Sequence, residues 1–167
     1  MKDDDIQISN SGSVYNIKVR GRANFEYAVP LRHFSNCMAA NIELIRIEAS
    51  GCTFMDSTFM GVLAMIGMKA KKFRAVVEIH CMAPNVRALL KGLGVDKLFT
   101  FCDEDGKITV ESWTNVLPSQ KSALQTAETV SEAHKTLVAA DDANEAKFKD
   151  VIKFADADIE NLKKQRD

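Results

Sequence analysis

Apolar and polar residues alternate twice near the beginning of the chain. Ile6 and Ile8 alternate with polar neighbours, and residues 14–19 again place most of their apolar side chains at alternate positions. The stretch between them, residues 9–13, consists of serine, asparagine and glycine, which favour turns. Because a period of two is typical of half-buried strands, this pattern predicts a β-hairpin.

Beyond residue 20, segments with helical spacing alternate with short apolar runs. Pro30 suits the first turn of the first such helix, and Gly92 and Gly94 suit the end of the third. The predicted elements are, in order, a helix over residues 26–40, a strand over 42–48, a helix over 56–73, a strand over 76–80, a helix over 84–93, a strand over 98–101, a turn at 103–106 and an edge strand over 107–110. Strands separated by helices pair in parallel through right-handed crossovers, so the order β-β-α-β-α-β-α-β predicts one α/β sheet with packed helices.

The last third of the chain is rich in helix-forming residues and has no glycine after Gly106. Apolar residues and His134 share one helical face over residues 117–137, and a second apolar stripe runs along residues 148–162. The break between them contains Asp142 and Glu145 at the spacing of a capping box. We predict a helical hairpin. Its stripes need cover, which the preceding domain, a second copy of the chain or a partner can each provide.

Charge and hydropathy exclude several classes of function. The 167 residues have a formal net charge of −1, and neither half carries the basic excess that binding to nucleic acid requires. No run of 18 apolar residues is present, so we expect no membrane insertion. The first residues are acidic and polar, unlike a secretory signal. The sequence therefore predicts a cytoplasmic protein.

The cysteines and histidines form no recognisable ligand pattern. The cysteines are 15, 29 and 21 residues apart, without a CxxC pair. They are Cys37, Cys52, Cys81 and Cys102, and the histidines are His33, His80 and His134. We expect buried, reduced thiols, no metal site and no cofactor.

The most informative stretch is residues 54–63, where a predicted strand ends and a helix begins. Asp56 or Ser57 can cap this helix, whose first turn leaves backbone N–H groups unpaired. Such a position tolerates an anion, so a phosphate on Ser57 would change the surface charge without disturbing the fold. The same dipeptide is also a common capping sequence without any further role.

Nothing in the sequence looks catalytic. No histidine stands near Ser57 in a base–nucleophile pattern, and His80, beside Cys81, is expected to be a satisfied or surface histidine. A phosphate-binding loop of the P-loop type is absent. We therefore predict that the chain is not an enzyme.

Four methionines lie in the helix that follows Ser57 or directly before it: Met55, Met60, Met65 and Met68. They either pack in the core or form an adaptable surface for a protein partner. Phe59 and Met60 lie in the first helical turn, where we expect at least one to face solvent. These two residues are therefore the best candidates for partner anchors.

Residues 14–102 resemble the STAS (sulfate transporter and anti-sigma factor antagonist) family, in particular its anti-sigma factor antagonists. The family's Asp-Ser-(Ser or Thr) turn stands at residues 56–58, and residues 83–99 resemble its third helix and the exit from it. Two positions depart from the family pattern. Phe59 replaces a glycine, and Asn24 replaces an acidic residue near the phosphorylation site.

The resemblance implies an α/β fold with a mixed, mostly parallel sheet and packed helices, here followed by the C-terminal helical hairpin. We expect a STAS-like domain over residues 1–110 and a helical extension over residues 111–167. Ser57 matches the family's phosphoserine, with Thr58 as the alternative acceptor. The expected partner-binding residues are Asn24, Asp56, Ser57, Thr58, Phe59 and Met60.

In the family, the unphosphorylated protein binds an anti-sigma factor with serine kinase activity, and a PP2C-like phosphatase reverses the modification. The resemblance therefore implies a phosphorylation-switched regulatory binding protein. The apolar stripes of the C-terminal helices add the expectation of a homodimer through them. The alternative is a STAS-type docking subunit of a larger assembly, such as a lipid or anion transport complex, without phosphoregulation.

Overall fold

The computed structural model describes residues 4–104, 108–119 and 122–166. The strands are β1 (Asp5–Ser11), β2 (Val14–Ala23), β3 (Leu44–Met55), β4 (Val76–His80), β5 (Thr100–Cys102) and β6 (Thr114–Asn115). The helices are α1 (Phe25–Asn36), α2 (Ser57–Lys72), α3 (Pro84–Gly92), α4 (Ala123–Ala140) and α5 (Asn144–Lys164), with one 3₁₀ turn at Asp96–Leu98.

The strands form one sheet in the order β5-β4-β3-β2-β1-β6. β2 to β5 are parallel, whereas β1 pairs antiparallel with β2 and with β6. Since β2 to β5 follow one another across the sheet, right-handed crossovers place α1, α2 and α3 on the same face. This arrangement confirms the predicted mixed, mostly parallel α/β fold.

Alternation along the strands separates the two faces of the sheet. Ile45, Ile47 and Ile79 are fully buried beneath the helices. Their neighbours Glu48 and Glu78 point to the other face and are only partly buried. The sheet therefore has a helix-covered apolar face and a polar face.

Some predicted boundaries were wrong. β3 continues seven residues past the predicted end at residue 48, because register shifts with β2 carry it through the small residues around Gly51. α1 ends at Asn36 rather than at residue 40. The edge strand expected at 107–110 is not a strand over residues 108–110, and β6 pairs with β1 instead. Residues 105–107, including part of the predicted turn, lie outside the described residues.

The predicted helical hairpin forms, but Asp142 does not cap α5. The Asp141 carboxylate accepts a hydrogen bond from Ala143 N at 3.0 Å. The buried Asn144 side chain donates to the carbonyl oxygens of Leu93 and Leu137 at 2.9 and 2.8 Å. These bonds anchor the turn between α4 and α5 to the end of α3, which explains why the helix begins at Asn144.

The hairpin folds back on the domain, which covers the apolar stripe of α4, whereas the stripe of α5 is covered only in part and leaves Val151 38% exposed. Ala133 and Leu137 of α4 are fully buried. A Cβ atom built on Gly61 of α2 would lie 2.5 Å from the carbonyl oxygen of Ala133. Arg32 of α1 also pairs with Glu132 of α4 at 2.6 Å. α4 therefore packs tightly across α1 and α2.

Candidate functional site

The N-termini of α1 and α2 meet at one end of the sheet. β2 and β3 are parallel and end in register at Ala23 and Met55, so Asn24 and Asp56 follow at the same level. The Asn24 side chain accepts a hydrogen bond from Glu26 N at 3.0 Å and caps α1. The predicted site residues Asn24 and Asp56 are thereby brought to the same edge.

The Asp56 carboxylate joins the two helices. One oxygen accepts from Phe59 N and caps α2, and the other accepts from Phe25 N of α1, both at 2.8 Å. Burial raises the pKa of Asp56, while these backbone N–H groups and His134 act in the opposite direction. Asp56 is therefore a structural anchor of the turn that presents Ser57.

Ser57 is the first residue of α2, and its Oγ lies 2.9 Å from Nε2 of His134 on α4. The other ring nitrogen, Nδ1, lies 2.6 Å from the carbonyl oxygen of Val130. A carbonyl only accepts, so Nδ1 carries the proton and Nε2 of the neutral ring accepts. The Ser57 hydroxyl therefore donates its hydrogen bond to His134.

The surroundings of His134 keep its ring neutral and fixed. His134 is only 2% exposed, and the ring of Phe148 on α5 packs edge-on against the imidazole, with the two ring centroids 4.8 Å apart. Burial lowers the pKa of His134, whereas the Val130 carbonyl and the Asp56 carboxylate raise it. Both helices of the hairpin therefore hold the imidazole over Ser57.

The expectation that no histidine stands near Ser57 was wrong, because His134 contacts it in the folded chain. His134 lies 77 residues further along the chain. A signal for it did exist, because His134 occupies the apolar face of the predicted tail helix. A histidine among residues that must be covered requires a hydrogen-bonding partner wherever that face packs.

The partner-anchor residues are not exposed. Phe59 is 0% and Met60 6% exposed, and Thr58 is also buried. The expectation that Phe59 or Met60 faces solvent was therefore wrong, because the sheet covers one side of α2 and α4 covers another. Met55 and Met60 belong to the core, which favours the packing interpretation of these methionines.

Ser57 and His134 resemble a nucleophile beside a base, but the surroundings differ from those of a catalytic pair. A backbone carbonyl, not a carboxylate, orients the imidazole. A nearby groove of about 990 Å³ is lined by Phe25, Val130 and Phe154 among others, but not by Ser57 or His134. The Ser57–His134 hydrogen bond therefore joins α2 to α4.

Two expectations about the cysteines and histidines were wrong: that the thiols are buried, and that these residues form no cluster. Of the four cysteines only Cys52 is buried, and burial raises its pKa to about 11. Cys102 lies close to His80 and Glu78 on the polar face of the sheet, although the sequence spacing indicated no such cluster. Strand pairing brings these residues together, and spacing along the chain does not reveal it.

Among the described residues, no helix is long and apolar enough to cross a membrane.

The family described as "Mlab, STAS domain" matches residues 6–100, more than half of the chain and including the Ser57 turn. No curated protein matches. The solved structure of the anti-sigma factor antagonist SpoIIAA in its unphosphorylated form is similar, with 15% identity, a TM-score of 0.49 and coverage of 59% of this chain and 88% of that one. The chain belongs to the STAS domain family.

Proposed function

We propose that this chain is a phosphorylation-switched regulatory binding protein of the anti-sigma factor antagonist type. Unphosphorylated, it binds a protein partner with serine kinase activity. The kinase phosphorylates Ser57, with Thr58 as the alternative acceptor, and a PP2C-like phosphatase removes the phosphate. The observation that carries this proposal is the Ser57–His134 hydrogen bond, because it makes the state of the serine and the position of α4 depend on each other.

The helix dipole of α2 would favour a phosphate on Ser57, whereas the neighbouring side chains of His134 and Asp56 would disfavour it in the closed hairpin. At the first position of α2 it would lie at the positive end of the helix dipole, although the Asp56 carboxylate already accepts from Phe59 N in this turn. It would also place up to about two negative charges against the buried His134 and near the Asp56 carboxylate. In the closed hairpin, either His134 must take up a proton despite the burial that lowers its pKa, or the phosphate stays without a cationic partner, which costs several kcal/mol. We therefore expect phosphorylation and closure of the hairpin to exclude each other.

In this proposal α4 is an internal competitor of the partner. The partner-binding residues, Asn24 and residues 56–60, surround the point where α4 contacts α2. A partner that uses this surface must first displace the hairpin, so its apparent affinity falls with the fraction of closed molecules. Three states follow: closed, open with partner, and open with phosphate on Ser57.

Affinity capture tests the proposal. Tagged wild type, Ser57→Asp and Ser112→Asp are incubated with lysate of the source cells and ATP. Ser112 is an exposed loop serine, so its variant adds the same charge away from the site. We expect wild type and Ser112→Asp to capture the same serine kinase, Ser57→Asp to capture much less of it, and mass spectrometry to find phosphate on Ser57. Equal capture by all three chains, or phosphate only at positions other than Ser57 and Thr58, argues against the proposal.

The second candidate function is a docking subunit of a larger assembly, for example a transport complex, without phosphoregulation. The observation that favours it is the closed hairpin itself, since a hydroxyl bonded to a buried histidine is poorly placed for a kinase. The replacement of the family's acidic residue by Asn24 points in the same direction. In that case the same multi-subunit complex is captured by wild type and by Ser57→Asp, and Ser57 carries no phosphate.

A further inference from the structure

The polar face of the sheet, opposite the helices, carries a group of metal-ligating side chains at its β5 edge. Glu78 and His80 are two residues apart on β4 and therefore point to the same face. His80 pairs in register with Cys102 of β5. One ligand atom from each of the three residues lies within 4.8 Å of the other two.

The separations between these atoms fit one small cation. Glu78 Oε1 lies 3.3 Å from His80 Nε2, and Cys102 Sγ lies 3.9 Å from Glu78 Oε2. Bonds of roughly 2.0 Å to nitrogen and oxygen and 2.3 Å to sulfur place tetrahedral neighbours roughly 3.3–3.6 Å apart. Small side-chain rotations therefore suffice to bring all three atoms onto one ion.

We propose that Glu78, His80 and Cys102 form a binding site for Zn²⁺, with a fourth position open to water. Thiolate and imidazole ligands favour zinc over magnesium or calcium, which prefer sites made only of oxygen atoms. The carboxylate and the thiolate together neutralise the charge of the ion. When zinc binds, the Cys102 thiol loses its proton to solvent and the S–Zn bond forms.

The location gives the site a structural consequence. β5 has only three residues and lies at the end of the sheet, next to β4. An ion held by both strands fixes this edge strand and, through it, the end of the 3₁₀ turn after α3. The site lies on the face of the sheet opposite α2 and Ser57, so zinc binding is independent of the proposed switch.

The test uses the full chain, freed of metal by chelation under reducing conditions and titrated with Zn²⁺ and with Co²⁺. We expect one tight equivalent and, for Co²⁺, the absorption bands of a tetrahedral site with a thiolate ligand. Because loss of even an outer-shell partner weakens metal affinity by about 10–100-fold, Cys102→Ser, His80→Gln and Glu78→Gln should each weaken it at least as much.

Cys37→Ser is the matched control. Cys37 Sγ lies 3.8 Å from His33 Nε2 on α1, so it is a second thiol–imidazole pair, but within the described part of the chain no carboxylate completes a cluster with it. Its variant should leave the zinc affinity and the cobalt spectrum unchanged. If the thiolate band instead disappears in Cys37→Ser, or persists in Cys102→Ser, the assignment is overturned.

A measurement on the wild type makes the result independent of variant folding. Zn²⁺ should slow alkylation of Cys102 by iodoacetamide, read by mass spectrometry, and leave the alkylation of the exposed Cys37 unchanged. Equal alkylation of Cys102 with and without zinc, or no zinc binding by the wild type, overturns the proposal.

Discussion

At the scale of single residues, the hydrogen bond between Ser57 and His134 is made by a neutral imidazole. Nδ1 donates to the Val130 carbonyl, so Nε2 is free to accept from the serine hydroxyl only while it carries no proton. Burial favours this neutral form and lowers the pKa of His134 below its ordinary value of 6.5. A protonated Nε2 could still donate to the serine oxygen, but the ring would then carry a positive charge in a buried position. Acid is therefore expected to loosen the contact between α2 and α4.

The free energy of unfolding should fall as the pH is lowered below 6.5, towards the depressed pKa of His134 in the folded chain. In that window the unfolded chain binds the proton and the folded chain does not, so acid favours unfolding. Urea denaturation at about pH 7.5 and about pH 5.5 measures the change. His134→Gln should show a smaller change than wild type.

The exposed His33→Gln is the control for this experiment and should behave as wild type does. Asp56, whose pKa is raised by burial, contributes with the opposite sign at lower pH but is present in all three chains. A pH dependence that is identical in wild type and His134→Gln would contradict the assigned role of His134.

At the scale of elements, the contact between α2 and α4 depends on the absence of a side chain at Gly61. A Cβ atom there would lie 2.5 Å from the carbonyl oxygen and 2.7 Å from the Cβ of Ala133. The backbone of α4 cannot yield locally, so any larger residue at this position must push the helix outward. Gly61 thus provides a way to open the hairpin without altering Ser57 or His134.

Gly61→Ala should reduce the free energy of unfolding by roughly 1–3 kcal/mol, the range for overpacking a closed contact. Gly92→Ala is the matched control, because a Cβ at that position in α3 meets no atom within 4 Å. It should change stability by at most about 0.5–1 kcal/mol, in the stabilising direction, since alanine has the higher helix propensity and Gly92 is the last residue of α3. Denaturant unfolding compares the two. Equal effects would mean that α4 does not rest on Gly61.

At the scale of the whole molecule, the sheet-forming part of the chain extends beyond residue 110. β6 pairs with β1, Val116 N donates to the carbonyl of Ile6 at 2.8 Å, and Ser119 N donates to that of Glu26 at 2.9 Å. The expected boundary between residues 110 and 111 would separate these contacts from the sheet. We therefore propose that the independent domain ends near residue 119, before α4.

A chain ending at Ser119 should fold cooperatively, with a lower melting temperature than the full chain, because the surface under Ala133 and Leu137 becomes exposed. A chain ending at Val110 should be less stable still, since it also lacks β6. Circular dichroism during thermal unfolding measures both. If the chain ending at Ser119 is unfolded, α4 and α5 are an integral part of one domain.

The order of the strands and helices follows from local patterns, because period, proline and glycine act over a few residues. The sequence also contains a signal that α2 is buried. Residues 59–67 are apolar around the whole helix, which is typical of a helix covered on all sides. Which element provides the cover depends on tertiary contacts between residues 77 positions apart, as with Ser57 and His134. The pairing of β4 with β5 that assembles Glu78, His80 and Cys102 is long-range in the same way.

The most direct measurement of the switch is backbone hydrogen exchange in the full chain carrying phosphoserine at position 57, installed during translation. The references are unmodified protein and a chain with phosphoserine at the exposed position 112. If phosphate and the closed hairpin exclude each other, amides of α4 should exchange at least about tenfold faster with phosphoserine at 57, while those of β2 to β4 keep their protection. Unchanged protection of α4 with phosphate on Ser57 would contradict the proposed coupling.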